Sequence, residues 1–216
     1  MAIAMLTACT VTWADTSDKL VKPWTETSRI FGGAGSQGLL LGSAFQMSPS
    51  LDARVGYSAL KFNKTEASSS SATGSIDLNI SNLSVLVDWF PSENSGWRLT
   101  GGIQTGTNKL TLSAKPTGSV TIGGTTYNNV NFSAGVDLGS TAPYIGFGYS
   151  TRSEKETGFT FFNDIGVRVG SAKVTLSEST GAVSTADLDN EKVKIEDKVK
   201  ALKYYPVIGM GLGYRW

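Results

Sequence analysis

The run Tyr204-Tyr205-Pro206-Val207-Ile208-Gly209-Met210-Gly211-Leu212-Gly213-Tyr214-Arg215-Trp216 decides the fold. Every second residue back from the end gives Trp216, Tyr214, Leu212, Met210, Ile208, Pro206 and Tyr204, all apolar or aromatic. The interleaved set is Arg215, Gly213, Gly211, Gly209, Val207 and Tyr205, mostly glycine with one charge. Side chains of a β-strand alternate between two faces, so this is a strand with one apolar and one nearly bare face. Rings stand at both ends of the apolar face with aliphatic side chains between, the order of a strand that faces lipid. From Pro206 to Trp216 a strand tilted by about 40° rises roughly 25 Å, the height of an outer-membrane apolar band. The bare face suits the crowded inside of a small closed barrel. The alternative, a soluble sandwich strand, would normally put polar groups on its exposed face.

Alternation recurs upstream. Leu39–Met47 is a strand that ends at the turn Ser48-Pro49-Ser50. From Leu51 to Phe62, Leu51, Ala53, Val55, Tyr57 and Ala59 oppose Asp52, Arg54, Gly56 and Ser58. A Ser-rich loop is expected over 66–75, followed by a long strand from Ile76 to Phe90. Its apolar residues change phase: Ile76, Leu78 and Ile80 have one parity, Leu83, Val85, Val87 and Trp89 the other. A bulge near Ser81 is the expected cause. Beyond the turn 91–96, Trp97, Leu99, Ile103 and Thr105 oppose Arg98, Thr100, Gln104 and Asn108. The segment 114–133 is polar and holds a small Gly-Gly hairpin within Val120–Tyr127. Pro143, Ile145, Phe147 and Tyr149 then oppose Tyr144, Gly146, Gly148 and Ser150. After a charged turn at 151–157, Phe159, Phe161, Ile165, Val167 and Val169 oppose Thr160, Asp164, Gly166 and Arg168, with Asn163 breaking the apolar set.

Two segments read differently. Residues 1–14 are small and apolar, and Asp15 follows, so they are expected to be a signal peptide cut after Ala14, leaving 15–216 as a single barrel domain. Leu6-Thr7-Ala8-Cys9 also fits a lipidation signal on Cys9, and a buried N-terminal strand is the third alternative. Residues 15–28 form a polar lead-in. Over 184–203, Leu188, Ile195, Val199 and Leu202 fall at helical spacing among charges, and Ser184 or Thr185 can cap the start. This amphipathic helix either packs on its own loop or docks a partner or membrane surface.

The composition excludes several functions. There is no His, which removes His-dependent catalysis and His metal sites, and the one Cys lies in the expected leader. A net charge of +1 offers nothing to nucleic acid. No stretch approaches the ~20 apolar residues of a spanning helix. With both termini expected on the periplasmic side, the strand number must be even. Seven alternating strands are visible, so the eighth is placed within Trp24–Gly35, joined to the next by an unusually tight hairpin. The long connections 63–74, 114–133 and 177–203 then fall on one side, and the short turns on the other. The expected fold is an all-β, eight-stranded antiparallel transmembrane barrel with long extracellular loops and one short amphipathic helix in the last loop.

Three stretches, Ala142-Pro143-Tyr144-Ile145-Gly146-Phe147-Gly148, Ser171-Ala172-Lys173-Val174-Thr175-Leu176 and Tyr204 through Trp216, resemble the carbapenem-associated outer-membrane protein (CarO) family. The resemblance runs loosely from about residue 38 to the end and implies an eight-stranded barrel in the outer membrane of a Gram-negative bacterium. It also implies bulky extracellular loops and a link to uptake of small, notably basic, solutes and of carbapenems. No ligand-contacting residue carries over. Gly211, Tyr214 and Trp216 sit like the C-terminal signal read by the barrel assembly machinery.

The inward set gathers Asp52, Arg54, Asp88, Arg98, Asp164, Arg168 and Arg215, expected either as a charged constriction or as a paired network that plugs the barrel. Trp89, Trp97, Tyr149, Phe159 and Tyr204 are expected at the lipid interfaces. The partners expected are outer-membrane lipids, lipopolysaccharide, the assembly machinery and a small solute, with no nucleic acid, cofactor or metal. Without His, no pair of residues stands out as catalytic, and the chain is read as not an enzyme. The expected function is selective uptake of small solutes by a narrow or closed barrel. The alternative is a non-conducting surface, adhesion or structural protein that presents its loops.

Overall fold

The structure, a computed structural model, describes residues 28–65, 72–92, 95–116, 118–151 and 157–216. The expected leader 1–14, Cys9, the lead-in as far as residue 27 and the charged turn at 152–156 lie outside them. Twelve strands are found among the described residues: β1 (Ser28–Gly35), β2 (Gly38–Ser48), β3 (Leu51–Thr65), β4 (Ala72–Trp89), β5 (Trp97–Pro116), β6 (Ser119–Ile122), β7 (Thr125–Asn128), β8 (Phe132–Asp137), β9 (Thr141–Ser150), β10 (Gly158–Val169), β11 (Lys173–Glu178) and β12 (Tyr204–Arg215). A helix, α1 (Thr185–Val199), and a 3-10 turn (Lys200–Lys203) precede β12.

Eight of these strands close a ring in the order β1-β2-β3-β4-β5-β9-β10-β12, every neighbour antiparallel. The closing ladder runs from Arg29 opposite Arg215 to Gly35 opposite Gly209. The first strand thus falls within the expected segment, and its hairpin turns on only Ser36-Gln37. Alternation builds the wall. Val55, Val85, Val87, Leu99, Ile103, Ile145, Phe147, Ile165, Ile208, Met210 and Leu212 point outward and are exposed, whereas Arg54, Ser58, Ser84, Asp88, Arg98 and Thr100 point inward and are buried. An apolar outside around a polar inside reverses the arrangement of a water-soluble domain and matches a barrel in hydrocarbon.

The bulge expected near Ser81 is absent. Both ladders of β4 run through Ser81 without a shift, Ala59 opposite Ser81 and Ser81 opposite Thr107. The pleat keeps its phase, and the apolar residues change sides. Ile80 lies on the inner face with Asn82 and Ser84, and is buried. Asn163 also finds an account: its side-chain oxygen accepts the Tyr149 backbone N–H at 3.0 Å, so this polar group on the outer wall has a partner.

The long connections are shorter than expected because strands extend into them. Residues 72–75, expected in a loop, belong to β4, and β5 continues to Pro116. Past Thr105, β5 leaves β9 and pairs with β8, which pairs with β11. The β3-β4-β5 wall therefore rises beyond the ring as a broad sheet. Above it, β6 and β7 turn on Gly123 (φ 61°) and Gly124 (φ 106°), the left-handed pair a two-residue hairpin requires. Ile122, Val130 and Val183 are buried beneath this hairpin with Tyr127, Phe132 and Leu188 against them. Helix α1 is thereby tied to the β6–β7 hairpin of another connection, the one between β5 and β9, and not to its own loop alone. Ser184 caps it by accepting the Asp187 N–H at 3.2 Å. No helix among the described residues is long and apolar enough to cross a membrane.

Two expectations follow. A Cβ on Gly211 would lie 2.2 Å from the Gly32 carbonyl oxygen and 2.7 Å from the Gly33 Cα, whereas one on Gly209 meets only the Ala34 oxygen at 4.0 Å. Gly211→Ala should therefore lower the melting temperature and the folded yield in lipid vesicles, with Gly209→Ala close to wild type. At the hairpin, the Tyr127 hydroxyl donates to Asp187 at 2.5 Å and the Ser184 hydroxyl donates at 2.9 Å. These bonds, that from Tyr127 foremost, hold the Asp187 carboxyl below the usual carboxylate range. A lowered folded value stabilises docking above the ordinary aspartate range, and that contribution is lost as pH falls through the folded value. Protection factors at residues 185–188, taken relative to intrinsic exchange at each pH, should fall on acidification, and Tyr127→Phe should flatten the response.

Candidate functional site

The interior of the ring is the candidate site. It is layered from the short-turn end, where β2 meets β3, β4 meets β5 and β9 meets β10. The first layer is ionic. Arg29 donates to Asp52 at 3.1 Å and to the Ser150 hydroxyl at 3.0 Å. Arg54 donates to Asp164 at 2.6 Å and to Asp88 at 3.1 Å. Arg98 donates to Asp164 at 2.8 Å, and its Nε lies 3.7 Å from Asp88. The Thr100 hydroxyl donates to Asp88 at 2.7 Å. All six charged residues are buried. Three guanidinium groups face three carboxylates, so the layer is neutral and each charge is compensated where water is scarce.

Elements from around the ring position this layer. Arg29 comes from β1, Asp52 and Arg54 from β3, Asp88 from β4, Arg98 from β5 and Asp164 from β10. Alternation aims all six inward. Two aromatic rings pack beside them: Phe31 and Phe162 meet edge to face at 5.3 Å and 70°, and the Arg54 guanidinium lies 6.0 Å from the Phe31 ring centre. The Phe31 ring has room because the wall opposite is glycine; a Cβ on Gly42 would come within 2.5 Å of its tip.

Above the ions is a cavity of about 50 Å³ lined by Phe31, Leu40, Arg54, Leu86, Tyr144 and Asp164, among others. A void of about 10 Å³ lies lower, between Arg29, Arg98, Ser150 and Thr160. The first has room for a few waters and the second for about one. The next layer is neutral and polar. Gln37 donates to Gln104 at 3.0 Å, Gln104 donates to Ser84 at 3.3 Å, and the Asn82 and Asn108 side chains bond each other both ways at 2.8 Å. Among the described residues no cluster of His, Cys, Asp or Glu is placed to hold a metal.

Of the seven inward charges proposed from the sequence, Arg54, Asp88, Arg98 and Asp164 meet in one network, and Asp52 lies beside it through Arg29. Arg168 is elsewhere: it donates to the Leu138 and Gly139 carbonyls at 2.8 and 2.7 Å, near the long-loop end. Arg215 is partly buried at the short-turn end. Arg29, Gln37 and Tyr144 were not singled out. The clue to Arg29 was its parity with Phe31 and Gly33 on a strand placed only by counting. Trp89, Trp97, Tyr149 and Phe159 gather outward at the short-turn end, with Trp97–Tyr149 and Phe159–Tyr214 packed edge to face. Tyr204 stands at the other end with the Lys203 ammonium 4.8 Å from its ring centre. Tyr214 and Trp216 are outward and exposed, and Gly211 lines the inside.

Asp164→Asn should remove the carboxylate that both Arg54 and Arg98 use and cost about 3–5 kcal/mol, because it leaves buried charge uncompensated. Lys109→Gln, which breaks the exposed pair with Asp137, should cost less than about 1 kcal/mol. Urea titrations of the refolded protein in vesicles would read both.

No family model matches the chain, nor does any curated protein sequence. Solved structures do. The crystal structure of Acinetobacter baumannii CarO2 matches with a TM-score of 0.64 at 19% identity, covering 88% of this chain and 98% of that one. The crystal structure of Acinetobacter baumannii CarO matches with a TM-score of 0.62 at 19% identity, covering 90% and 100%. At this identity the likeness is one of fold, and it extends over nearly the whole of both chains. The protein therefore has a CarO-like fold, an eight-stranded antiparallel transmembrane barrel with long loops at one end and a short amphipathic helix in the last of them.

Proposed function

We propose that this protein is a bacterial outer-membrane barrel, closed at rest, that passes small solutes slowly by loosening its internal ion network. The observation that carries this reading is the neutral Arg54–Asp88–Arg98–Asp164 network at the short-turn end, with a cavity of about 50 Å³ above it. The short turns are the periplasmic end and the long strands the extracellular one. A solute cannot diffuse through such a plug; it must displace an ion pair. Asp164 and Asp88 each serve two arginines. A solute bearing a guanidinium or ammonium group is the chemistry that can take over one of those contacts, which favours basic solutes. Trp89, Trp97, Tyr149 and Phe159 anchor the periplasmic rim in lipid and Tyr204 the opposite one. Gly211, Tyr214 and Trp216 serve recognition by the assembly machinery.

A second reading, a non-conducting surface protein, draws on the small apolar core that orders the β6–β7 hairpin and the start of α1 above the barrel. A lobe with its own core is a surface built to be presented. Planar-bilayer recordings separate the two. The wild-type monomer should show little steady current, and Arg98→Gln combined with Asp88→Asn should raise it. Large, steady currents from the wild type would overturn the closed barrel, and an equally silent double variant would favour the surface role.

A further inference from the structure

The change of sides along β4 has a consequence at the mouth of the barrel. In the raised sheet the inner row Phe62–Leu78–Leu110–Val136–Val174 is apolar across five strands. The next inner row runs Lys64–Ile76–Leu112–Ala134–Leu176. The outer rows of the same sheet are polar, for example Asn63, Asp77 and Thr111. This sheet is amphipathic in the sense opposite to the belt below, with its apolar side over the lumen. Toward β11 that side is covered, and Val136 and Val174 are buried. Toward β3 it is not: Phe62 is 48% exposed, Ile76 40% and Leu112 41%, values like those of the belt residues Leu83 (44%) and Val87 (45%).

The same corner opens sideways. Pairing of β2 with β3 stops at Leu39 opposite Ala59, and pairing of β1 with β12 stops at Gly35 opposite Gly209. Both β3 and β12 continue upward with no strand among the described residues between them. The wall there ends at Ser36-Gln37, sealed to β12 by the Tyr205 hydroxyl donating to the Ser36 carbonyl at 2.8 Å. Phe62 and Lys64 stand on the free edge of β3. Leu39, exposed on the outer belt, lies at the top of the low wall.

We propose that this uncovered face binds an anionic single-chain amphiphile of the fatty-acid class, which reaches it from the membrane over the low β1–β2 wall. Continuity with the apolar belt supplies the route for the chain, and the exposed Lys64 ammonium, directly opposite Ile76 in the register, supplies the counter-charge for its carboxylate. The uncovered part crosses three strands, roughly 10 Å. That accommodates one acyl chain and is far smaller than the ~800 Å² per partner of a protein interface. The proposal rests on the membrane-barrel reading and not on how the ion network opens.

The test uses the full mature chain refolded into lipid vesicles and a diazirine-bearing C16 fatty acid, with adducts mapped by peptide mass spectrometry. Saturable labelling is expected on 60–62, 76–78 and 110–112. The Phe62→Ser/Ile76→Ser variant should weaken it by about tenfold or more, since loss of buried apolar contact area reduces affinity on that scale. Lys64→Glu should weaken labelling by the carboxylic acid but not by its methyl ester. Normal insertion with adducts confined to outward residues such as Val85 and Leu99 overturns the proposal and leaves the barrel standing. Unchanged labelling in both variants overturns it too, and a wild-type chain that does not insert overturns both readings.

Discussion

The structure depends on the ladder between β1 and β12. It turns a sheet with two unpaired edges into a ring with none, the only way strands can satisfy their backbone groups in hydrocarbon. That ladder is assembled from glycine: Gly32, Gly33 and Gly35 face Leu212, Gly211 and Gly209. At Gly33 and Gly211 the backbones approach so closely that a Cβ on either would fall within 3 Å of the other strand's main chain. Glycine at the seam leaves the interior bare at that height, and the free volume is taken by Phe31, Phe162 and the arginines. A bulkier seam would have displaced the side chains that fill the lumen.

Once the ring is closed, every inward polar group competes for the same small interior. This explains why charges from five strands converge. Arg54 and Arg98 both reach Asp164, which sits higher on β10 than Asp88 does on β4, so the network is a bridge across the lumen and not a flat ring. Arg168 lies beyond reach of any of these carboxylates and meets main-chain carbonyls instead. A guanidinium carries five donors in a fixed fork, and the two neighbouring carbonyls take up two of them without supplying the counter-charge of a carboxylate.

Much of this was legible in the sequence, because a membrane barrel makes one demand of every strand. The alternation of Leu51–Phe62, Trp97–Thr105, Pro143–Ser150 and Tyr204–Trp216 was enough to assign inside and outside, and the parity of the termini required a strand within Trp24–Gly35. Partners within the lumen were not legible, since they depend on the stagger between strands far apart in the chain. Arg29 escaped for another reason: its strand was placed by counting, with no faces assigned to it. Strands β8 and β11 escaped because they are six residues long and outside the belt, where the outer residues Ser133, Gly135, Thr175 and Ser177 carry no lipid-facing signal.

The phase change on β4 shows where the rule behind that legibility stops. A one-residue bulge was expected because apolar residues were assumed to share one face along the whole strand. That assumption holds only while the solvent outside is lipid. Above Ser81 the outside is read as water, and the pleat, unshifted, presents Asn79 and Asp77 to it while Ile80, Leu78 and Ile76 turn inward. The point where hydrophobic parity reverses on an unbroken strand therefore marks the upper edge of the membrane. The outer ladder agrees: Tyr57 and Leu83 are the last apolar pair, and the Tyr57 hydroxyl already bonds Ser81 at 2.8 Å. A tyrosine with its ring against the aliphatic belt and its hydroxyl on the first polar row is placed as an amphipathic ring at an interface requires. The reversal needs no structural device, because the same backbone serves two solvents.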